Sequence, residues 1–349
     1  MINDKGILIR NIYYMLSYAF QELRKNNYDE ISKEDFEYIK DLFADILYKG
    51  ISYQLKQGLY REYIERHDTL SVLRGKLDLN ETIKNRVKRR QVLSCEFDEL
   101  SEDNTFNQIL KTTAGILIRE KTVSTKRKNQ LKSLMPFFGG VSVIDPFNIH
   151  WNMLRFQRNN QTYKMLMNIC YFILDGMLMT TEAGAYKMAT FSDEHMNMLF
   201  EKFVLEYYRV HHKELAASPD HIQWNITDPD DAVIDFLPSM KTDITLHKGD
   251  RTLIIDTKYY GRMMQEQFDK QTIHSGNLYQ VFTYIKNLDK CNTGLVSGML
   301  LYAKTQESIA PDLDAHFGPN RIMVRTLDLN QEFDGIRKQL DGFAETIEQ

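Results

Sequence analysis

Apolar residues return along the first half of the chain at helical spacing. Ile12, Met15, Leu16, Ala19 and Phe20 stand at i, i+3, i+4, i+7 and i+8, one face of a helix. Ser32 precedes Asp35 by three residues and reads as a capping box ahead of Phe36, Ile39, Phe43, Ile46 and Leu47. After Gly58 the period changes. Residues 69–78 alternate around Arg74-Gly75, a strand-and-turn pattern. A helix is expected over 104–119, with Ile109, Leu110, Thr113, Ala114 and Leu117 on one face. Further helical stretches are expected over 163–179 and 193–213. The second carries Met196, Leu199, Phe200, Phe203, Val204 and Tyr207 at helical spacing, with Ser192 as its N-cap.

From Trp224 the period switches towards two. Strands are expected over 232–237, 242–246 and 253–260, the last two joined by a Lys248-Gly249-Asp250 turn. A helix beginning near Asn277 would bury Leu278, Val281, Phe282 and Ile285, and strands at 298–302 and 322–327 complete the pattern. Pro136, Gly139-Gly140, Pro146 and several Asn punctuate 136–162, the best place for a domain boundary. The expected organisation is an α+β N-terminal domain over 1–160, followed by an α/β domain over 161–349 around a small mixed central sheet.

Composition narrows the function. Forty-four Lys+Arg against 48 Asp+Glu leave a net charge of -4, so nucleic acid is not coated by bulk charge and any contact must use a local patch. Cys95, Cys170 and Cys291 are far apart and odd in number, which fits a reducing cytoplasm and no disulfide framework or zinc ribbon. The N-terminus has no signal-peptide core, and the most apolar stretch, 165–179, is broken by Asn168 and Asp175, so no membrane span is expected. No G-x-x-x-x-G-K-[ST] loop is present, and the chain is not expected to hydrolyse nucleotides by itself. His195 and His211-His212 lack metal-ligand spacing and read as packing or surface residues. Tyr13, Tyr14 and Tyr18 read as core aromatics with polar tips rather than a base-stacking platform.

Four residues carry candidate chemistry: Asp243, Asp256, Lys258 and Gln280. Side chains at i and i+2 of a strand share a face, so Asp256 and Lys258 project together, and Asp243 on the partner strand can converge with them. Two carboxylates are hard oxygen ligands suited to Mg²⁺ and phosphate chemistry. Lys258 can orient water or neutralise developing charge. Thr257 points its side chain to the other face but offers its backbone carbonyl to a metal. An Asp-x-Lys tripeptide alone reads as a solvated hairpin with an ion pair. Here, however, a polar triplet interrupts the apolar run Leu253-Ile254-Ile255, a second Asp lies one hairpin upstream, and a helix with Tyr279-Gln280 follows. Together this is the layout of a PD-(D/E)xK nuclease core. Glu201 is either an additional acid from the first helix of that core or a solvated helix residue paired with a lysine. A basic run, Lys84, Arg86, Lys88, Arg89 and Arg90, follows the Arg74-Gly75-Lys76 turn and precedes Glu96, Asp98 and Glu99. It reads as a partner-contact surface or as a solvated loop touching phosphates.

Several segments, in order and spread over most of the chain, carry a family resemblance. They are Arg10-Asn11-Ile12-Tyr13-Tyr14-Met15-Leu16-Ser17-Tyr18-Ala19, Phe97-Asp98-Glu99-Leu100-Ser101-Glu102-Asp103-Asn104 with Asn107, Thr242-Asp243-Ile244-Thr245, Asp256-Thr257-Lys258-Tyr259-Tyr260 and Asn277-Leu278-Tyr279-Gln280. In these the chain resembles the McrC family, nuclease subunits of McrBC methylcytosine-dependent restriction systems. The resemblance implies a PD-(D/E)xK restriction-endonuclease-like C-terminal domain that cleaves DNA with Mg²⁺, using Asp243, Asp256 and Lys258. It implies an McrB-like AAA+ GTPase ring as partner, which reads DNA carrying modified cytosine. It also implies that the N-terminal domain docks on the ring and stimulates its GTPase, with Arg74 and the basic run as contact candidates. A single site per chain implies a second copy of the complex for double-strand cleavage. Thr242 stands where the general nuclease signature has proline, and Thr257 where family members often have alanine. Two other readings are a non-enzymatic assembly factor that only activates the GTPase, and a stand-alone PD-(D/E)xK repair nuclease.

Overall fold

Along the chain the helices are α1 (Ile9–Ala19), α2 (Ile39–Gln57), α3 (Leu79–Val87), α4 (Thr105–Arg119), α5 (Thr125–Leu134), α6 (Gln161–Met177), α7 (Asp193–His211), α8 (Ser275–Leu288) and α9 (Phe333–Glu345). The principal strands are β1 (Glu62–Leu70), β2 (Lys76–Leu77), β3 (Leu93–Ser101), β4 (Ile244–Lys248), β5 (Arg251–Lys258), β6 (Val296–Ala303), β7 (Leu313–Phe317) and β8 (Asn320–Leu327). These come from a computed structural model that describes residues 3–4, 7–20, 36, 38–157, 161–180, 186–188, 193–226, 236–259, 264–267, 270–304 and 311–348. The chain divides into two compact units whose bounds differ from a single cut near residue 160: Met1–Leu42 with Thr190–Gln349, and Phe43–Ala189. The N-terminal segment belongs with the C-terminal one because Asn11, on α1, donates its amide to the carbonyls of Leu329 (2.8 Å) and Gln331 (2.7 Å). Among the described residues no helix is long and apolar enough to cross a membrane.

In the unit Phe43–Ala189, β1, β3 and β2 form an antiparallel sheet in that order. Gly75 makes the turn before β2 in a left-handed conformation (φ +68°), with no room for a Cβ against the Glu96 carbonyl and Phe97. The roots of β1 and β3 are clamped by side chains. Asn104 caps α4 by accepting from Asn107 N, and its amide reaches the Tyr60 carbonyl at 2.9 Å. The Asn107 amide also donates to Tyr60 O (2.8 Å) and to Glu102 O (2.7 Å), and the Tyr163 hydroxyl donates to Asn107 Oδ1 (2.8 Å). The motif around residues 97–107 is therefore a structural clamp. In the same unit Asp45 is fully buried, with Arg127 Nη1 2.5 Å and Lys49 Nζ 3.2 Å from its carboxylate.

The other unit is built on a five-stranded mixed sheet of order β4-β5-β6-β8-β7. β4 and β5 form an antiparallel hairpin, β5, β6 and β8 run parallel, and β7 returns antiparallel on β8. Parallel neighbours need a crossover, and α8 lies in the one between β5 and β6. Val281, Tyr284 and Ile285 of α8 pack with Ile254, Leu300, Tyr302, Ile322 and Val324 of the sheet. The helix approaches at Gly298, where a Cβ would collide with Val281 and Ile285. α7 packs on β5 and α1 packs on α7, with Tyr18 edge-on to Phe203 and hydrogen-bonded to His211 at 2.7 Å.

The expected elements return with shifted ends. The strand expected over 242–246 is displaced two residues to Ile244–Lys248. The helix expected over 163–179 spans Gln161–Met177, and a short strand begins at Leu178. Of the strand expected over 232–237, residues 232–235 lie outside the described residues, and Phe236 and Leu237 sit in a turn and bend. The Ser32–Asp35 capping box and the Ser192 cap also lie outside the described residues. Sequence reasoning passed over most of β1 and all of β3, α3, α5, β7 and α9, although Ile336, Leu340 and Ala344 of α9 repeat every four residues on its buried side.

Candidate active site

The backbone of β5 explains why the site lies where it does. Thr252 N points to the β6 side, where it donates to Leu295 O. Odd-numbered N–H groups therefore face β4. The β4 ladder ends with Ile244 opposite Ile255, leaving Thr257 N without a strand partner. Asp243, immediately before β4, fills the gap: its Oδ2 accepts from Thr257 N at 2.7 Å and from the Thr257 hydroxyl at 2.9 Å. This corrects one expectation. The Thr257 side chain does take part in the site, by holding Asp243.

Asp256 projects from the face that α8 covers. It is fully buried, and Lys258 Nζ lies 2.8 Å from its Oδ2, yet neither carboxylate oxygen receives an aligned hydrogen bond among the described residues. Lys258 Nζ also donates to Gln280 Oε1 at 3.4 Å. Gln280 Nε2 donates to the Tyr284 hydroxyl at 2.9 Å, which donates in turn to the carbonyl of Lys241 at 3.0 Å, two residues before Asp243. Tyr284 is one helical turn beyond Gln280, a spacing visible in the sequence but not singled out there.

Three carboxylates converge electrostatically. Burial raises the Asp256 carboxyl to about 7; Lys258 opposes the rise, and Asp243 and Glu201 add to it. Burial also raises Glu201, on α7, to about 7, followed by the charge of Asp243, with Lys241 and Lys258 opposing. Glu201 is thus half-buried and feels the charges of Asp243, Lys241 and Lys258. Hydrogen bonds and an ion pair tie Asp243 to Thr257 and Asp256 through Lys258 to Gln280, and Glu201 is coupled to them by charge. A set of oxygen donors that includes a fully buried carboxylate beside one lysine, with more acids than lysines, is chemically suited to a hard divalent cation.

The basic candidates lie in the other unit. Lys84 and Arg86 fall in the last turns of α3, Lys88 is its C-cap, and Arg89 follows in a left-handed conformation (φ 56°). Arg86, Arg89 and Arg90 line a cavity of about 510 Å³ with Ser71, Gln91, Val92 and Leu93. Arg74 is engaged locally, its guanidinium 4.0 Å over the Phe97 ring and 3.7 Å from Glu99, and Lys84 pairs with Glu81 at 2.6 Å.

A model of the family described as McrBC 5-methylcytosine restriction system component matches residues 3–303. The chain belongs to that family. Its McrBC relative in Escherichia coli (strain K12), the Type IV methyl-directed restriction enzyme EcoKMcrBC, is 27% identical over 347 residues, covering 98% of each chain. A solved structure, the refined half-complex from the tetradecameric assembly of Thermococcus gammatolerans McrB AAA+ hexamers with bound McrC, matches 97% of this chain and 76% of that one. Its TM-score is 0.52 at 18% identity, a likeness of fold. The McrBC match includes Asp243, Asp256, Lys258 and Gln280, and it ends with β6.

Proposed function

We propose that this chain is the DNA-cleaving subunit of a GTP-dependent, modified-cytosine-specific restriction complex, with a PD-(D/E)xK core on β4, β5 and α8. The observation that carries the reading is Asp256: a fully buried carboxylate beside Lys258, with both oxygens lacking aligned donors, next to Asp243 and Glu201. Burying a charge is costly unless something takes up its oxygens, and perturbed carboxylates cluster at reactive sites. Mg²⁺ fits this set, held by Asp243, Asp256 and the Thr257 carbonyl with Glu201 as the additional acid. When bound, it would polarise the phosphodiester and lower the pKa of the attacking water. Lys258 neutralises charge developing on the phosphate, and Gln280 keeps the lysine directed into the site. The test is Asp256→Ala in the full complex with Mg²⁺, GTP and methylated DNA. Folding and partner binding persist while cleavage is lost. Cleavage at the wild-type rate would show the site assignment to be wrong.

The partner in this reading is an McrB-like AAA+ GTPase ring that recognises the modified cytosine, and a second copy of the complex meets the first to cut both strands. Family membership and the name of the Escherichia coli relative, a methyl-directed restriction enzyme, support it. We assign ring docking and GTPase stimulation to the unit Phe43–Ala189, whose arginine-lined cavity suits an anionic group on the ring. An arginine near a transferring phosphate is worth orders of magnitude in rate. Charge reversal at Arg86, Arg89 and Arg90 in the full chain lowers GTPase stimulation and leaves the nuclease residues untouched. If only DNA affinity and its salt dependence change, the cavity contacts phosphate of the nucleic acid instead.

A further inference from the structure

Beyond Thr257 the edge of β5 has one more odd-numbered donor. The N–H of Tyr259 faces the side that β4 has already left, and Tyr259 is only 2% exposed, so water does not take the donor up. The acceptor is a side chain from another element: Asn197 Oδ1, on α7, at 2.9 Å. An amide oxygen is the only acceptor an asparagine side chain offers, so the orientation of the group is settled by the donor it meets. Two consecutive gaps in one ladder are thus closed by side chains, the first by Asp243 and the second by Asn197.

Asn197 lies four residues before Glu201, and side chains at i and i+4 of a helix share a face. Tyr259 directly follows Lys258 and lies three residues beyond Asp256. One hydrogen bond therefore ties the turn of α7 that carries Glu201 to the end of the strand that carries Asp256 and Lys258. The charge of Asp243 is felt at Glu201, so the tie acts beside the point where the carboxylates converge.

We propose that Asn197 is a positioning residue that sets Glu201 against Asp243 and Asp256 through its hydrogen bond to Tyr259 N, and thereby sets how tightly the site holds a divalent cation. The inference rests on the reading of Asp243, Asp256 and Glu201 as one cation-holding set. Partners bonded directly to a metal ligand are worth about 10–100-fold in metal affinity, and Asn197, which bonds the backbone beside the ligands, acts at the lower end of that scale.

The experiment uses the full chain and Mn²⁺ as the probe, titrated calorimetrically, with amide hydrogen exchange at Tyr259 read in the absence of metal. Asn197→Ala speeds Tyr259 exchange and weakens Mn²⁺ binding about ten-fold or more. Asn197→Asp keeps the acceptor oxygen and restores slow Tyr259 exchange. In a Glu201→Gln background, Asn197→Ala weakens binding no further, because the residue acts through Glu201; a merely structural loss would add. Where Asn197→Ala is poorly folded, Asn197→Ser, too short to span the bond, carries the same comparison. If Glu201→Gln weakens binding and the Asn197 variants do not, the role of Asn197 is refuted and the carboxylate set stands. Additive losses in the double variant refute it as well. If Glu201→Gln leaves binding unchanged, the carboxylate set itself is wrong.

Discussion

Replacing Thr257 by valine separates the stability of β5 from the performance of the site. Thr257 is fully buried, and its hydroxyl and backbone N–H both donate to Asp243 Oδ2, at 2.9 and 2.7 Å. Valine has nearly the same shape but puts a methyl where the hydroxyl was. A carbon so close to an oxygen is repelled, so the Asp243 carboxylate must shift, keeping the bond from Thr257 N but losing its exact placement. A hydrogen bond to a charged group is worth about 1.5–3 kcal/mol net. Asp243 is half-buried, so water recovers part of this, and the buried methyl of valine contributes about 0.8 kcal/mol of transfer energy. The two effects nearly offset, and Thr257→Val changes unfolding free energy by no more than about 1 kcal/mol.

Cleavage does not share this cancellation. A misplaced ligand partner costs about 10–100-fold in activity or metal affinity. Thr257→Ser gives the opposite pattern: it keeps the donor but loses a buried methyl, at about 1 kcal/mol of stability, and still cuts. Guanidinium unfolding followed by circular dichroism, beside plasmid cleavage by the full complex, reads both quantities. If Thr257→Val cuts within two-fold of wild type, or if the serine variant loses as much activity as the valine variant, Thr257 does not hold Asp243 for catalysis.

Tyr284→Phe removes the hydroxyl that joins Gln280 to the Lys241 carbonyl; Tyr284 is 7% exposed, so stability falls by about 1–2 kcal/mol and cleavage falls several-fold, checked by unfolding and single-turnover cleavage. Asp45→Ala removes the carboxylate beside Arg127, which is 4% exposed and keeps its bond to Gln130, in the unit Phe43–Ala189 and costs about 3–5 kcal/mol in denaturant unfolding; a loss below about 1 kcal/mol means the pair is not buried as described. Burial would raise the Asp289 carboxyl, but donors from Thr293 N, Gly294 N, Asn320 Nδ2 and the Thr293 hydroxyl outweigh it and hold the group at about 2. Because the folded value lies below the unfolded one, the stabilisation, about 2 kcal/mol, is complete above the ordinary carboxylate range and is lost as pH falls through 2. The stability gap between wild type and Asp289→Asn therefore narrows between pH 5 and pH 2; a constant gap contradicts the assignment.

The elements legible in the chain are those whose information is local. The repeat of Ile109, Leu110, Thr113, Ala114 and Leu117 on α4, or the apolar run before Asp256, needs only the period of a helix or a strand. The division into units was not legible, because Asn11 finds its acceptors at Leu329 and Gln331, over 300 residues away, and nothing near Asn11 announces them. In the site, the charged residues stood out against an apolar background, whereas Tyr284 and Asn197 did not. Each lies four residues from a residue that was noticed, but each bonds a backbone group of a distant segment, and every residue carries such groups.

The placement of Asp243 shows why a two-residue error in one strand end matters to the chemistry. Inside the expected strand over 242–246, its side chain would stand roughly perpendicular to the sheet. It could not then reach a donor that lies in the plane of the sheet. The ladder in fact begins at Ile244, so the chain at Asp243 is free of the pleat and its carboxylate swings into line with Thr257 N. Convergence of the acids therefore depends on the hairpin stopping short. Any substitution that extended the β4–β5 ladder past Ile255 would satisfy Thr257 N with a carbonyl and leave Asp243 without its anchor, with no change in a single residue of the site.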